Sequence, residues 1–160
     1  MVNIAVLISG GGTNLQAILD AAERGEIKKG KVALVISSKA DAYGLKRAEK
    51  AGVPTKVISK KDYTKPGDFE EELIRVLQEN EIGLVVLAGF MVILNQRFTR
   101  TFAGKIINVH PSLIPSFCGD GFYGLKVHEK ALEYGVKVTG ATVHFVNEVT
   151  DGGEIILQDC

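Results

Sequence analysis

The sequence predicts an α/β fold, a doubly wound and mostly parallel sheet with helices on both faces. Apolar, β-branched runs of strand length alternate with segments whose apolar residues recur at helical spacing. The first run, Val2–Ile8, is almost continuously apolar, as is typical of a strand that is buried on both faces. Glycines follow the first two helical segments, where they end helices. Such alternation builds parallel sheets with right-handed crossovers.

The predicted elements follow one another without a linker, so the chain is expected to form one domain. The first helix is predicted because Leu15, Ile18, Leu19 and Ala22 share one face. The predicted helices are 13–24, 42–51, 69–78 and 127–134. The predicted strands are 2–8, 32–36, 55–58, 84–87, 105–109, 138–146 and 155–158.

The composition is that of a globular protein and argues against several other classes. Of the 160 residues, 46% are hydrophobic and 24% charged, which argues against disorder. The 19 basic residues balance 19 acidic ones, which argues against a nucleic-acid surface. The apolar start is interrupted by glycines at 10–12 and no basic region precedes it, so neither a signal peptide nor a membrane span is predicted. The expected location is cytoplasmic.

The spacing of the cysteines and histidines predicts neither a disulfide framework nor a metal site. Two cysteines and three scattered histidines have neither disulfide-framework spacing nor metal-ligand spacing. Cys118 lies in a glycine-rich segment with no sequence reason for a lowered thiol pKa. Because no serine or cysteine is placed as an activated nucleophile, the pattern fits a reaction in which the substrate supplies its own amine.

A glycine-rich loop, residues 9–14, joins the first predicted strand to the first helix. Glycines present bare N–H groups and the helix N-terminus adds partial positive charge, so the loop suits an anion such as phosphate. A plain turn with Thr13 or Asn14 as N-cap is the alternative. Leu15 replaces the third glycine of a dinucleotide fingerprint, and no Gly-Lys-Ser/Thr follows for a Walker loop.

Asn108 and His110 lie at the carboxyl end of the fifth predicted strand, the edge where open α/β sheets bind ligands. Strand alternation places both on one side of the chain, with Val109 on the other. An amide donor beside an imidazole can stabilise a tetrahedral oxyanion and handle its proton. A strand-end histidine that only caps a loop is the alternative.

Asp151 precedes two glycines in a turn between the last two predicted strands. Asp-Gly is also a plain hairpin signal, so the turn alone does not assign it a role. If Asp151 lies beside His110, its carboxylate favours the cationic imidazole. His144 is predicted to be structural, and His128 peripheral. The apolar segment 89–94 either walls a pocket for a flat heterocycle or belongs to the core.

Five stretches resemble the folate-dependent formyltransferases: VLISGGGTNLQAIL, SSKADAYGLKRAEKAGV, VVLAGFMVIL, INVHPSLIPSF and GATVHFVNEVTDGGEIILQ. Asn-x-His-Pro-Ser-Leu with a later Asp-Gly-Gly is typical of the whole group, and the first stretch of its glycinamide ribonucleotide branch. The resemblance implies a Rossmann-like formyltransferase fold. It also implies formyl transfer from 10-formyltetrahydrofolate, as co-substrate, to the amine of glycinamide ribonucleotide in purine biosynthesis. No metal is expected.

The resemblance also implies roles for individual residues. His110, held cationic by Asp151, and Asn108 would act on the oxyanion that forms when the amine attacks the formyl carbon. The residues that match the substrate-phosphate loop are Gly11, Gly12, Thr13 and Asn14. The residues that match the folate site, largely through backbone groups, are Met91, Val92, Ile93, Leu94, Asn108, Val146, Asn147, Glu148, Val149 and Thr150.

Three departures from the family pattern qualify these expectations. Val92 stands where many relatives have Arg, and segment 118–124 is longer and richer in glycine than in some relatives. Relatives usually continue past the position of Cys160 with a strand and a long helix. We therefore expect residues 1–160 to be a single formyltransferase domain without that C-terminal part.

Two other functions are compatible with the resemblance. A formyltetrahydrofolate hydrolase would use water in place of the amine, but retention of the phosphate loop favours the transferase. A truncated folate- or phosphate-binding remnant would lack activity. The expected partners are small molecules, glycinamide ribonucleotide and a reduced folate, and neither nucleic acid nor a membrane. The chain is expected to be a monomer or a homodimer.

Overall fold

The computed structural model describes residues 1–160 as seven strands and five α-helices. The strands are β1 (Val2–Ile8), β2 (Gly30–Ser37), β3 (Thr55–Val57), β4 (Ile82–Leu87), β5 (Ile106–His110), β6 (Ala141–Phe145) and β7 (Ile155–Asp159). The helices are α1 (Thr13–Glu23), α2 (Tyr43–Lys50), α3 (Asp68–Glu79), α4 (Gln96–Thr101) and α5 (Leu125–Tyr134), with a one-turn 3-10 helix at Lys60–Asp62.

All seven strands form one sheet in the order β3-β2-β1-β4-β5-β6-β7. Strands β1 to β5 pair in parallel, and β6 and β7 add antiparallel pairs at one side. The predicted class, a mostly parallel doubly wound sheet, is therefore confirmed. None of the five helices is long and apolar enough to cross a membrane.

The core lies on both faces of the sheet. Ala5 and Leu7 of β1 pack in a cluster with α3 and α4, whereas Ile4, Val6 and Ile8 pack in a second cluster with α1 and α2. Because successive strand residues point to opposite faces, a strand covered on both sides must be apolar at every position. This explains the continuous apolar run that predicted β1.

Two elements differ most from the sequence prediction, and the bounds of the other strands and α-helices differ by two residues at most. Helix α4 was not predicted, because its six residues are too few for a periodic pattern; the Asn95 side chain caps it by accepting a hydrogen bond from Phe98 N at 3.0 Å. Strand β6 begins at Ala141 instead of 138. Its neighbour β5 ends at His110, which pairs with Thr142, so the residues before 141 have no β5 residue to pair with.

The loops that follow β2, β1, β4 and β5 lie at one edge of the sheet. Strands β2, β1, β4 and β5 are adjacent and parallel, so their carboxyl ends lie side by side. The chain order reverses between β1 and β4, and such a switch point opens a crevice where α/β proteins bind ligands.

Candidate active site

Four polar side chains from β5, β6 and the turn before β7 meet at this edge. The antiparallel register pairs Asn108 with His144 and His110 with Thr142, so these side chains project from one face of the sheet. Asp151 lies between the two histidines, with Oδ2 3.5 Å from His110 Nδ1 and Oδ1 3.7 Å from His144 Nε2. We call Asn108, His110, His144 and Asp151 the catalytic cluster, after the role that we propose for them under the function of the chain. The structure thus brings together the three residues singled out in the sequence.

His110 is buried and held from both ring nitrogens. Its Nε2 donates to the Phe117 carbonyl oxygen at 2.8 Å, and its Nδ1 faces Asp151. In the doubly protonated ring both nitrogens therefore have an acceptor. A histidine that only caps the following loop would explain the hydrogen bond to Phe117. It would not explain the contact with Asp151, which belongs to a different turn.

His144 is the member of the catalytic cluster whose place the sequence reasoning missed. Its Nδ1 lies 2.8 Å from the Phe145 carbonyl oxygen, which requires a proton on Nδ1. In the neutral ring Nε2 is then an acceptor, and Asn108 Nδ2 donates to it at 3.2 Å. His144 so orients the Asn108 amide, in addition to the structural role that was predicted. Cross-strand pairing of two late strands was the signal that could have suggested this contact.

Asp151 is positioned by its turn and by the loop after β5. It has a left-handed backbone, φ 53°, which aspartate tolerates better than most residues. Gly119 N donates to its Oδ2 at 2.9 Å. The next glycines are required by close packing: a Cβ on Gly153 would overlap the Phe145 carbonyl oxygen. The Asp-Gly-Gly turn therefore both connects two strands and places a carboxylate beside His110.

Cys118 lies beside this carboxylate but is not activated. Burial, with a smaller contribution from the negative charge of Asp151, raises the pKa of its thiol. The thiol also donates to the Pro115 carbonyl oxygen at 3.4 Å. A thiol with a raised pKa is a poor nucleophile at neutral pH, which agrees with the expectation from the sequence.

The glycine-rich loop lines a cavity of about 310 Å³ at the switch point. Gly12 is the N-cap of α1, with a left-handed φ of 74° and no side-chain hydrogen bond to the helix. The N-cap is therefore neither Thr13 nor Asn14, and the binding of an anion by this loop stays a prediction. The cavity is lined by Ser9, Gly10, Gly11, Gly12, Thr13, Asn14, Lys39, Ala88, Gly89 and Met91.

Helix α2 holds the glycine-rich loop in place through direct backbone packing. Gly44 N donates to the Gly10 carbonyl oxygen at 3.0 Å, and a Cβ on Gly12 would lie 2.7 Å from Gly44 Cα. Arg47 Nε donates to the Gly11 carbonyl oxygen at 2.8 Å. The contact needs glycine on both sides, which explains a glycine inside the first turn of α2. The sequence reasoning did not assign this role.

A serine pair connects the loop to the segment after β4. Ser9 Oγ and Ser38 Oγ, both buried, lie 2.6 Å apart, and Met91 N donates to Ser9 Oγ at 2.8 Å. These residues follow β1, β2 and β4. The Ser9 hydroxyl therefore fixes the two sides of the switch point relative to each other.

Replacing Ser9 with alanine is expected to lower the free energy of unfolding by about 1–3 kcal/mol, because Met91 N–H loses its acceptor. Urea denaturation followed by circular dichroism measures the change. Ser38→Ala is the matched control: it removes the other hydroxyl of the pair but leaves the acceptor for Met91 N–H, so its effect should be smaller. Equal midpoints for Ser9→Ala and the unsubstituted chain would contradict this role.

The segment after β4 alternates between the core and solvent. Phe90, Val92 and Leu94 pack against the core, whereas Met91 and Ile93 are exposed. The segment therefore contributes to the core, whereas its role as the wall of a pocket for a flat heterocycle stays a prediction. Val92 contributes no polar side chain to this segment.

The opposite segment, 146–150, is tied to α4. Glu148 accepts hydrogen bonds from Gln96 Nε2 at 2.5 Å and from Arg100 Nε at 2.8 Å, and these bonds hold the pKa of its carboxyl below the ordinary value. Asn147 Oδ1 accepts from Val149 N at 2.9 Å, while the Val149 side chain is exposed. The two segments are separate in the chain: 89–94 follows the carboxyl end of β4, whereas β6 runs antiparallel and 146–150 leaves it beside Ile107 of β5.

No group of three or more His, Cys, Asp or Glu side chains is arranged to hold a metal ion. Independence from metal stays a prediction. An amide, two histidines and a carboxylate in contact, with a cavity at the same carboxyl edge of a doubly wound sheet, are typical of an α/β enzyme that acts on a small molecule.

Comparisons with known proteins identify the family. The formyl transferase family matches residues 2–160. The chain is 49% identical to phosphoribosylglycinamide formyltransferase of Haemophilus influenzae over 158 residues, 99% of this chain and 72% of that protein. It is 49% identical to the human trifunctional purine biosynthetic protein adenosine-3, over 98% of this chain but only 15% of that protein. Glycinamide ribonucleotide transformylase 1 from Symbiobacterium toebii is 48% identical, with a TM-score of 0.92 over 99% of this chain and 72% of that one.

The chain therefore belongs to the formyl transferase family. It spans about seven tenths of the length of the phosphoribosylglycinamide formyltransferases that it matches.

Proposed function

We propose that this chain transfers a formyl group from 10-formyltetrahydrofolate to the amine of glycinamide ribonucleotide, a step of purine biosynthesis. The observation that carries the proposal is the catalytic cluster at the same edge of the sheet as the glycine-lined cavity, in a chain 49% identical to a phosphoribosylglycinamide formyltransferase. An expected cytoplasmic location and a monomeric or homodimeric state belong to the same proposal.

The catalytic cluster supplies what amine formylation needs. When the substrate amine attacks the formyl carbon, a C–N bond forms and the carbonyl oxygen becomes an oxyanion. The Asn108 amide, oriented by His144, and the His110 imidazole would stabilise that charge. The oxyanion then returns to a carbonyl as the bond from the formyl carbon to the folate nitrogen breaks. The folate nitrogen takes up the proton that the amine loses, and tetrahydrofolate is released.

Asp151 would have two parts in this step. Its carboxylate lies 3.5 Å from His110 Nδ1, so it stabilises positive charge on the ring. Because His110 Nε2 is bonded to the Phe117 carbonyl, Nδ1 is the nitrogen left for proton transfer. A water in contact with both Nδ1 and the carboxylate could carry the proton from the amine.

The positions of the strand ends suit a single acceptor molecule that reaches from the glycine-rich loop to the catalytic cluster. The glycine-rich loop follows β1, and Asn108 and His110 end β5, with β4 between them. Two inter-strand spacings make roughly 10 Å. A substrate whose amine and phosphate are separated by a ribose and a glycyl unit would place its phosphate on Gly11, Gly12, Thr13 and Asn14 and its amine at the cluster.

The donor would lie between the two segments that were matched to the folate site. The exposed side chains of Met91, Ile93 and Val149 offer apolar surface to a flat pterin ring. The remaining residues of this proposed site, Val92, Leu94, Val146, Asn147, Glu148 and Thr150, would contribute through backbone groups. Glu148 would help indirectly, because its bonds to α4 hold the segment in place.

The test is formyl transfer by this chain, supplied with 10-formyltetrahydrofolate and glycinamide ribonucleotide and followed by mass spectrometry of the formylated product. Product that requires both substrates is expected. Folate turnover at the same rate without the amine would overturn the proposal in favour of the hydrolase. Binding of both substrates without turnover would overturn it in favour of a binding remnant.

A further inference from the structure

We propose that Lys39 determines the preference of the cavity for a phosphorylated acceptor, by supplying the full positive charge that the glycine-rich loop lacks. Lys39 is the only charged residue among the ten that line the cavity, and no acidic residue lines it. This inference depends on the proposed function only for the identity of the molecule that carries the phosphate.

The backbone of Lys39 is fixed at the rim of the cavity. The buried Ser37 hydroxyl donates to the Lys39 carbonyl oxygen at 2.7 Å and accepts from Lys39 N at 3.1 Å. Ser37 pairs with Ile8 of β1, and Ser38 N donates to the Ile8 carbonyl oxygen at 3.0 Å. Lys39 therefore follows β2 at the same edge of the sheet at which the glycine-rich loop follows β1. Its ammonium makes no ion pair and no hydrogen bond within the chain.

A phosphate monoester needs this charge. It carries close to two negative charges at neutral pH, whereas the loop and the start of α1 offer only N–H dipoles, equivalent to about half a charge. The first turn of α1 has no basic residue. The nearby Arg47 already donates to the Gly11 carbonyl oxygen and, at 3.2 Å, to Gln16 Oε1. Lysine binds phosphate as a mobile point charge, which suits a rim position.

A second basic hollow shows by contrast why Lys39 is the better anion ligand. This hollow, about 430 Å³, lies along α4 and is lined by Gln96, Arg97, Arg100 and Thr101. Its arginines are already paired: Arg97 with Glu71 and Arg100 with Glu148, both at 2.8 Å. A phosphate there would have to displace carboxylates, whereas at Lys39 it would displace only water.

The test compares Lys39→Gln with Lys39→Arg and with Arg97→Gln, a matched removal of charge at the second hollow. Inorganic phosphate is titrated into each protein in a phosphate-free buffer, and the amide signals of Gly11 and Gly12 are followed by NMR. Lys39→Gln should weaken phosphate binding about tenfold, Lys39→Arg should keep most of it, and Arg97→Gln should leave it unchanged.

Kinetics provide the second measurement. Lys39→Gln should raise KM for glycinamide ribonucleotide about tenfold with kcat nearly unchanged, and leave KM for the dephosphorylated riboside as it was. Unaltered phosphate binding in Lys39→Gln, or equal loss in Arg97→Gln, would overturn the inference. If no variant transfers a formyl group but phosphate binding still depends on Lys39, the proposed function fails and this inference stands.

Discussion

His110→Ala is expected to lower kcat for formyl transfer by about 10³- to 10⁴-fold, while the donor still binds. The imidazole handles a proton and faces the developing charge, and general acid–base groups contribute about this much. Asp151→Asn should have a similar effect, because the amide keeps the shape of the carboxylate but not its charge. Steady-state kinetics give kcat, and fluorescence titration with a folate analogue gives donor affinity.

The double variant sharpens this prediction. Since His110 and Asp151 are proposed to act as one unit, His110→Ala combined with Asp151→Asn should be little worse than either alone. His128→Ala is the matched control, because His128 is an exposed residue of α5 with no contact to the catalytic cluster. Near-normal turnover in His110→Ala or Asp151→Asn would remove that residue from the mechanism.

Gly153→Ala is expected to lower the free energy of unfolding by about 3 kcal/mol or more, a loss at the large end for single substitutions. The added Cβ would overlap the Phe145 carbonyl oxygen and lie 2.5 Å from its carbon. Both are backbone atoms, so relief requires a shift of strand β6 or of the turn. Such a shift would strain the 2.9 Å hydrogen bond from Phe145 N to the Glu154 carbonyl oxygen.

Urea denaturation measures this loss, and kcat measures its consequence for Asp151, which the same turn positions. Gly10→Ala is the control for stability, because a Cβ at Gly10 has no atom within 4 Å and its backbone is not left-handed. Should Gly153→Ala and Gly10→Ala unfold at the same urea concentration, the close backbone approach would not be what requires glycine here.

Local patterns were sufficient for most of the fold. The bounds of β1 were predicted without error because a doubly covered strand leaves an apolar residue at every position. Helix α4 was missed because it has only six residues. Two of them are buried, which is too few to show the helical spacing of apolar residues. The start of β6 was wrong because pairing with β5, and not the apolar character of 138–140, decides where the strand begins.

The candidate site divides in the same way. Asn108 and His110 were recognisable because they alternate on one strand at the ligand-binding edge. Asp151 was singled out in its Asp-Gly-Gly turn, and the family resemblance implied its catalytic role. The sequence left open whether Asp151 only forms a turn or also contacts His110. In the structure it lies in the turn, accepts a hydrogen bond from Gly119 N and faces His110 Nδ1. The contact of His144 with Asn108 joins residues 36 positions apart, and Met91 bonds Ser9 across 82 positions.

The sequence by itself determined the class of fold, the edge where the chemistry lies and the glycines that the tight turns require, because periodicity and backbone freedom are local properties. Only the tertiary structure decided which polar groups meet. His144 orients Asn108, Ser9 joins the two sides of the switch point, and Lys39 is the one charge at the cavity, because strand register and strand order, which no local pattern encodes, bring these residues together.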